Sequence, residues 1–157
     1  MSSQTSLMRR LLRQWESPPT WLVLFLCLAW AQSRFLAIMP SDPPLRLAGA
    51  ALILIGIAIF ASALIEFRRH RTTVLPREAP QRFITEGIYR WSRNPIYLAD
   101  ALILSGAVLR WDVGALLLVP AFMGIIRHRF IDGEEAGLKA AFGAEFDTYA
   151  SRVRRWI

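Results

Sequence analysis

The apolar residues of this chain are bunched into four blocks separated by short polar segments. Residues 21–39 and 47–67 form the first two, and the second carries no charge before Glu66. Residues 96–109 form a shorter third block that contains Asp100, and residues 113–126 a fourth with Pro120 inside it. A helix needs about 20 residues to cross the hydrocarbon core of a bilayer. The first two blocks reach that length; the last two reach it only with their flanking residues. Arg110, Trp111 and Asp112 alone separate the third and fourth blocks, which predicts a tight hairpin of two antiparallel helices. Nothing alternates with the period of two of a barrel strand, so the backbone polar groups in lipid must be satisfied within helices.

The tail follows a different rule. Leu138, Phe142, Phe146, Tyr149, Val153 and Trp156 recur three or four residues apart, while Lys139, Glu145, Asp147 and Arg152 fall largely off that stripe. This predicts an amphipathic helix, interrupted near Gly143, that lies on the membrane surface or folds back over the spans. The expected architecture is therefore all-α: an integral membrane bundle of about four transmembrane helices plus a C-terminal amphipathic helix. It forms one membrane domain over residues 1–157, with an N-terminal segment 1–20, two spans within 21–67 and a second functional half over 83–157.

Composition narrows the class further. The 157 residues are 54% hydrophobic and 20% charged, which excludes a disordered or collagen-like chain. Cys27 is the single cysteine, so neither an internal disulfide nor a multi-cysteine metal site is available. The net charge is +7, carried by 18 Arg and 1 Lys. Sixteen of these nineteen bases lie in 1–20, 68–93 and 127–157, leaving Arg34, Arg46 and Arg110 on the other side. The positive-inside rule then places both termini and the central loop in the cytoplasm, at the inner membrane if the source is bacterial. Bases that border spans touch anionic lipid, which accounts for the charge without nucleic acid. Leu28 to Ala31 resembles a signal-peptide cleavage region, but Ser17-Pro18-Pro19 lengthens the basic segment and apolar character resumes after Arg34. The first block is expected to be retained as a span.

Candidate chemistry gathers at the two cytoplasmic boundaries of the last blocks. Gly87 permits an unusual backbone angle, and Pro95 suits the first turn of a helix. Arg90 and Arg93 then lie at a helix start, as an anion site or as headgroup anchors. Asp100 follows about 7 Å along the axis from Pro95. A carboxylate inside a span is a functional candidate, and Tyr97 can share its face; the alternative is an internal salt bridge to Arg93 or Arg90. Glu134 and Glu135 follow the fourth block. Neighbouring helical residues point about 100° apart, so one should face inward, where it could hold an ammonium, and the other should pair with Lys139. His70 and His128 lack ligand neighbours, so no metal is expected. Cys27 reads as packing, Gln32 and Arg34 as the outer edge of the first span, and no glycine-rich nucleotide loop exists.

The order of these pieces carries a resemblance. Thr85-x-Gly87-x-Tyr89-Arg90-x-x-Arg93-Asn94-Pro95-x-Tyr97, a helical hairpin, Glu134-Glu135, and then Phe142-Gly143-x-Glu145-Phe146-x-x-Tyr149-x-x-x-Val153-x-Arg155 follow one another. Over residues 83–155 the chain resembles the isoprenylcysteine carboxyl methyltransferases, a family similar in its C-terminal half to phospholipid N-methyltransferases. The resemblance implies S-adenosylmethionine as methyl donor, in a pocket at the cytosolic ends of the last two spans. By position it assigns Tyr89, Arg90, Arg93, Asn94, Pro95, Tyr97, Glu134 and Glu135 to cofactor binding, with Arg93 and Asp100 as catalytic candidates. Asn94 stands where the family usually has His, Ala99 where Gly is frequent, and Ile88 where Pro is frequent. The expected function is methylation of an amphiphilic acceptor, an isoprenylcysteine-type carboxylate or a related lipophilic small molecule. Membrane lipids are the expected surroundings and nucleic acid is not an expected partner. A phospholipid amine acceptor, a nicotinamide-dependent membrane oxidoreductase resembling sterol reductases, and a noncatalytic membrane subunit are the alternatives.

Overall fold

The computed structural model describes residues 17–70 and 83–157. The basic residues of 1–16 and 71–82, which carried part of the orientation argument, lie outside the described residues. Four longer helical segments build the bundle: α1 (Pro18–Phe35), α2 (Pro43–Arg69), α3 (Pro95–Trp111) and α4 (Leu118–Ile126). A π turn, Arg127–Ile131, leads from α4 into α5 (Asp132–Phe142), and α6 (Ala144–Arg152) follows. No strand occurs among the described residues beyond an isolated bridge between Pro40 and Asp112.

The helix starts are written in proline. Pro18, Pro43 and Pro95 each open a helix, where the missing N–H would be unpaired anyway. Asp42 adds a side-chain cap to α2, its Oδ1 accepting from the Leu45 amide at 2.9 Å. Pro120 is accommodated in the same way. The chain first forms a 3₁₀ turn, Val113–Ala115, and regular α-helix begins only at Leu118, so Pro120 falls in the first turn.

Two helical runs are long and apolar enough to cross a membrane: Pro43–Arg69, with 27 residues, and Val113–Phe142, with 30. The expectation of four spans is thus corrected to two by this measure. The first block does not stay helical to its end, because Ala37 turns to φ +41° and residues 36–39 become loop. What remains, α1, has 18 residues and includes two prolines, Gln32 and Arg34. At 17 residues, α3 is short and lies inside the bundle rather than along its outside.

Helix α3 is the axis on which the others pack. Its Tyr97, Ala101, Leu104 and Val108 join Phe25 and Ala29 of α1 and Phe122 and Ile126 of α4 in one core. A helix buried on several sides reads as apolar all round, as this one does. Small residues let α2 approach α3 closely. Gly49, Gly56 and Ala63, seven residues apart, are all buried. A Cβ on Gly49 would sit 2.5 Å from the Gly106 carbonyl, and one on Gly56 would sit 2.9 Å from that of Ala99.

The hairpin between α3 and α4 forms as expected and is stapled to the loop after α1. Both carboxylate oxygens of Asp112 accept from the Met39 amide, at 3.0 and 3.1 Å, and Oδ1 also accepts from Gly114 at 2.7 Å. The Val113 amide donates to the Met39 carbonyl. The side-chain amide of Gln32 and the hydroxyl of Ser41 are buried without a hydrogen-bond partner among the described residues.

At the opposite end the C-terminal stripe folds back over the bundle. Gly143, at φ +50°, breaks it where the sequence pattern predicts. Phe83 lies stacked on Phe142, tilted against Phe146 and edge-on to Tyr149.

Candidate functional site

The end of the bundle that carries α5 and α6 also carries the charged residues singled out by sequence. The start of α3 is set by a 3₁₀ turn, Gly87–Arg90, made possible by the positive φ of Gly87. From there Ser92 and Asn94 run into Pro95, all three buried. The extended tail beyond α6 lies across this segment. The Arg93 amide donates to the Arg154 carbonyl at 3.0 Å. The Arg155 carbonyl accepts from Ser92 Oγ at 3.3 Å and from Asn94 Nδ2 at 3.2 Å.

The two glutamates meet this segment from α5. Tyr97 donates its hydroxyl to Glu134 Oε1 at 2.7 Å. Glu135 receives a bidentate guanidinium from Arg155, Nε to Oε1 at 3.1 Å and Nη2 to Oε2 at 2.6 Å. Arg93 Nη1 lies 3.4 Å from Glu135 Oε1, and Asn94 Nδ2 donates to the same oxygen at 3.4 Å. Arg155 also reaches Asp132, Nη1 to Oδ1, at 3.1 Å. The partnership with Glu135 raises the Arg155 pKa above its ordinary value.

This corrects the expectation that only one glutamate engages. Both do, because the returning tail brings Arg155 to the side of α5 that would otherwise face water. Lys139 instead pairs with Asp147 at 3.0 Å. The π turn contributes as well: its wider winding changes the direction in which α5 presents Glu134 and Glu135 relative to α4.

Of the residues chosen from sequence, Tyr89, Arg93, Asn94, Pro95, Tyr97, Glu134 and Glu135 are gathered at this end. Tyr89 is held from three sides. Its carbonyl accepts the Tyr149 hydroxyl at 2.6 Å, its ring meets Phe67 of α2 edge-on, and Glu66 and Glu134 both act on it electrostatically. Burial, then the neighbouring Tyr149 and these carboxylates, push its hydroxyl pKa upward. Burial also raises Tyr149, to about 12, against an opposing pull from Arg93. Arg90 is not brought in; it is exposed on the turn. Asp100 lies one turn beyond Tyr97 on α3, 5% exposed, and the salt bridge to Arg93 or Arg90 is not made. Asp100 has no hydrogen bond or ion pair among the described residues, and Arg93 Nε is likewise buried without a partner. Neither histidine is near a metal-binding group of three, and no such group exists among the described residues. His70 lies 3.8 Å from Glu66 and His128 lies 3.4 Å from Asp132.

The sequence reading missed Glu66, Ser92 and Asp132, and quoted Tyr149 and Arg155 only as parts of a motif. Two cavities, about 370 Å³ beside Pro120, Gly124 and His128 and about 240 Å³ beside Cys27, Trp30 and Trp111, lie away from the cluster. In this conformation the tail closes the cluster over.

A family model described as phospholipid methyltransferase matches residues 45–145, well over half of the chain. The chain belongs to the phospholipid methyltransferase family. The match takes in α2, α3, α4, α5 and the whole Gly87–Tyr97 segment, and so reaches further toward the N-terminus than the motif order did. No curated protein and no solved structure matches. A phospholipid methyltransferase family member is a membrane methyltransferase, and membership implies S-adenosylmethionine as methyl donor. The cluster suits that donor chemically. The donor's amino-acid end presents an ammonium and a carboxylate. The site offers Glu134 for the one and Arg93, with its unpartnered buried Nε, for the other.

Proposed function

We propose that this protein is an S-adenosylmethionine-dependent integral membrane methyltransferase whose acceptor is an amphiphile with an amine headgroup. The supporting observation is Asp100, a buried carboxylate without a partner among the described residues, one helical turn from the Tyr97–Glu134 pair. A cationic headgroup compensates such a carboxylate, whereas an isoprenylcysteine-type carboxylate acceptor would add a second negative charge beside it.

When bound, S-adenosylmethionine supplies a methyl group on a sulfonium, with the carbon–sulfur electron pair staying on sulfur. Glu134, oriented by the Tyr97 hydroxyl, holds the donor's ammonium, and Arg93 holds its carboxylate. Asp100 holds the acceptor ammonium and takes its proton, which frees the nitrogen lone pair for attack on the methyl carbon. Asn94, in the position where a His is usual, fixes the C-terminal carbonyl and Glu135 without titrating. The apolar core around Phe130 and Phe122 excludes water from the transfer. Methyl transfer asks little covalent help of the protein, so placement of the two substrates supplies most of the rate. The site opens to the cytoplasm in this reading, and the acceptor arrives laterally from lipid.

The test combines calorimetric S-adenosylmethionine binding to detergent-purified protein with transfer of labelled methyl groups to paired amphiphiles, one an amine and one a carboxylate. Micromolar binding, lost on Glu134→Ala, and label in the amine alone are expected. Label in the carboxylate alone overturns the acceptor assignment. No binding by folded wild-type protein overturns the methyltransferase reading.

A further inference from the structure

Helix α2 is a long apolar span, yet it ends on a carboxylate that points inward. Glu66 is 8% exposed, at the same end of the bundle as the Tyr97–Glu134 pair. Its compensation is loose: Arg69 Nη1 is 3.3 Å from Oε1 and His70 Nε2 is 3.8 Å from Oε2. Arg69 is itself largely in solvent, with 71% of its side chain exposed. A carboxylate that serves only an i,i+3 surface pair has no reason to be buried, since such pairs contribute little.

What Glu66 touches is Gly87. A Cβ built on Gly87 would fall on the Glu66 carboxylate, 2.6 Å from its Cδ. Gly87 is at φ +57°, the conformation that starts the Gly87–Arg90 turn and so sets where Tyr89 stands. The next residue of α2, Phe67, packs edge-on against the Tyr89 ring with centroids 6.0 Å apart. Successive residues of one helix thus hold the turn and the ring it presents. The carbonyl of Tyr89 is fixed from the other side by Tyr149.

We propose that Glu66 is a positioning residue of the methyl-transfer site, acting through the Gly87 turn on Tyr89. The carboxylate fills the space that a side chain at position 87 would take, so the turn can lie against α2 only in the observed winding. Removing it leaves a hole beneath Gly87 and lets the turn, and Tyr89 with it, drift from Glu134. The shape of the side chain does this, so glutamine serves where alanine does not. The proposal rests on the methyltransferase reading for its consequence in ligand binding, but not for its consequence in the turn.

The experiment uses the full chain in detergent with Glu66→Ala, Glu66→Gln, Tyr89→Ala and the Glu66→Ala/Tyr89→Ala double variant. Two quantities are read: the Kd for S-adenosylmethionine, and amide hydrogen exchange over the Gly87–Arg90 turn. Glu66→Ala is expected to weaken binding about tenfold and to speed exchange in the turn, Glu66→Gln to restore both, and the double variant to bind no worse than Tyr89→Ala alone. Unchanged exchange in Glu66→Ala overturns the proposal, as do additive losses in the double variant. Failure of glutamine to restore the turn also overturns it. Wild-type protein that binds no donor overturns the methyltransferase reading instead, and the exchange comparison still decides whether Glu66 holds the turn.

Discussion

Helix α3 begins and ends near a buried aspartate, and the two are treated in opposite ways. Asp112, closing the helix, is 1% exposed and accepts from the backbone amides of Met39 and Gly114. Asp100, a turn and a half from its start, is 5% exposed and accepts from nothing among the described residues. Taking a carboxylate out of water costs several kcal/mol unless donors replace the lost hydration. At the Asp112 end the chain supplies those donors from its own backbone, in a fixed staple between two loops. The unpartnered Gln32 amide and Ser41 hydroxyl nearby are neutral and cost far less. At the Asp100 end the donors are withheld although two guanidinium groups, Arg93 and Arg155, stand on the neighbouring Glu135. A fold that can satisfy one aspartate so fully and leaves the other bare has given the second something other than stability to serve.

The contrast can be broken in four places. The largest effect is expected from Asp100→Asn, which should lower the rate of methyl transfer about a thousandfold while leaving the thermal midpoint unchanged or raised. A parallel loss of folding would mean that Asp100 is structural after all. Asp112→Ala should do the reverse. It strands two buried amides and should cost about 3 kcal/mol in denaturant unfolding, with the donor affinity of the folded fraction unchanged. Arg155→Ala should cost only about 1 kcal/mol, because the pair is partly solvated, but should free the tail. Limited proteolysis should then cut beyond Tyr149 much faster than in wild type. The smallest effect concerns pH. Tyr149 is raised from 10.0 to about 12, so its contribution is complete below pH 10 and is lost as pH rises through about 12. The stability difference between wild type and Tyr149→Phe should be constant up to pH 10 and shrink above it, measured as thermal midpoint against pH.

Much of this arrangement is legible in the chain, and what is not has identifiable causes. Block periodicity and length show α2, and the three residues Arg110 to Asp112 show the hairpin, because both are local properties. The break at Gly143 is local too: a glycine interrupts a stripe that resumes beyond it. Motif order relates 89–97 to 134–135 across the hairpin, and the structure brings these segments together. Glu66 escapes the same reading because its partner Gly87 lies far along the chain, past a loop, and the contact involves no complementary charge. Arg155 is conspicuous as one of many arginines, and only the return of the tail tells which carboxylate it meets. The number of spans was overestimated because apolar blocks are compatible both with facing lipid and with being enclosed by other helices. Helix α3, shielded by α1, α2 and α4, is the enclosed kind.

The π turn at Arg127–Ile131 makes chain length itself part of the site. It winds one more residue into a turn than an α-helix would. Excising any one of its five residues would let the helix relax to ordinary winding and swing everything downstream by about 100°. Such a deletion would leave Tyr97, Asn94, Arg93 and both glutamates in the sequence, yet it would aim the glutamates past their partners. Substitutions along this segment can be absorbed one at a time, whereas a change in residue number cannot, and related chains should vary here in spelling but never in count.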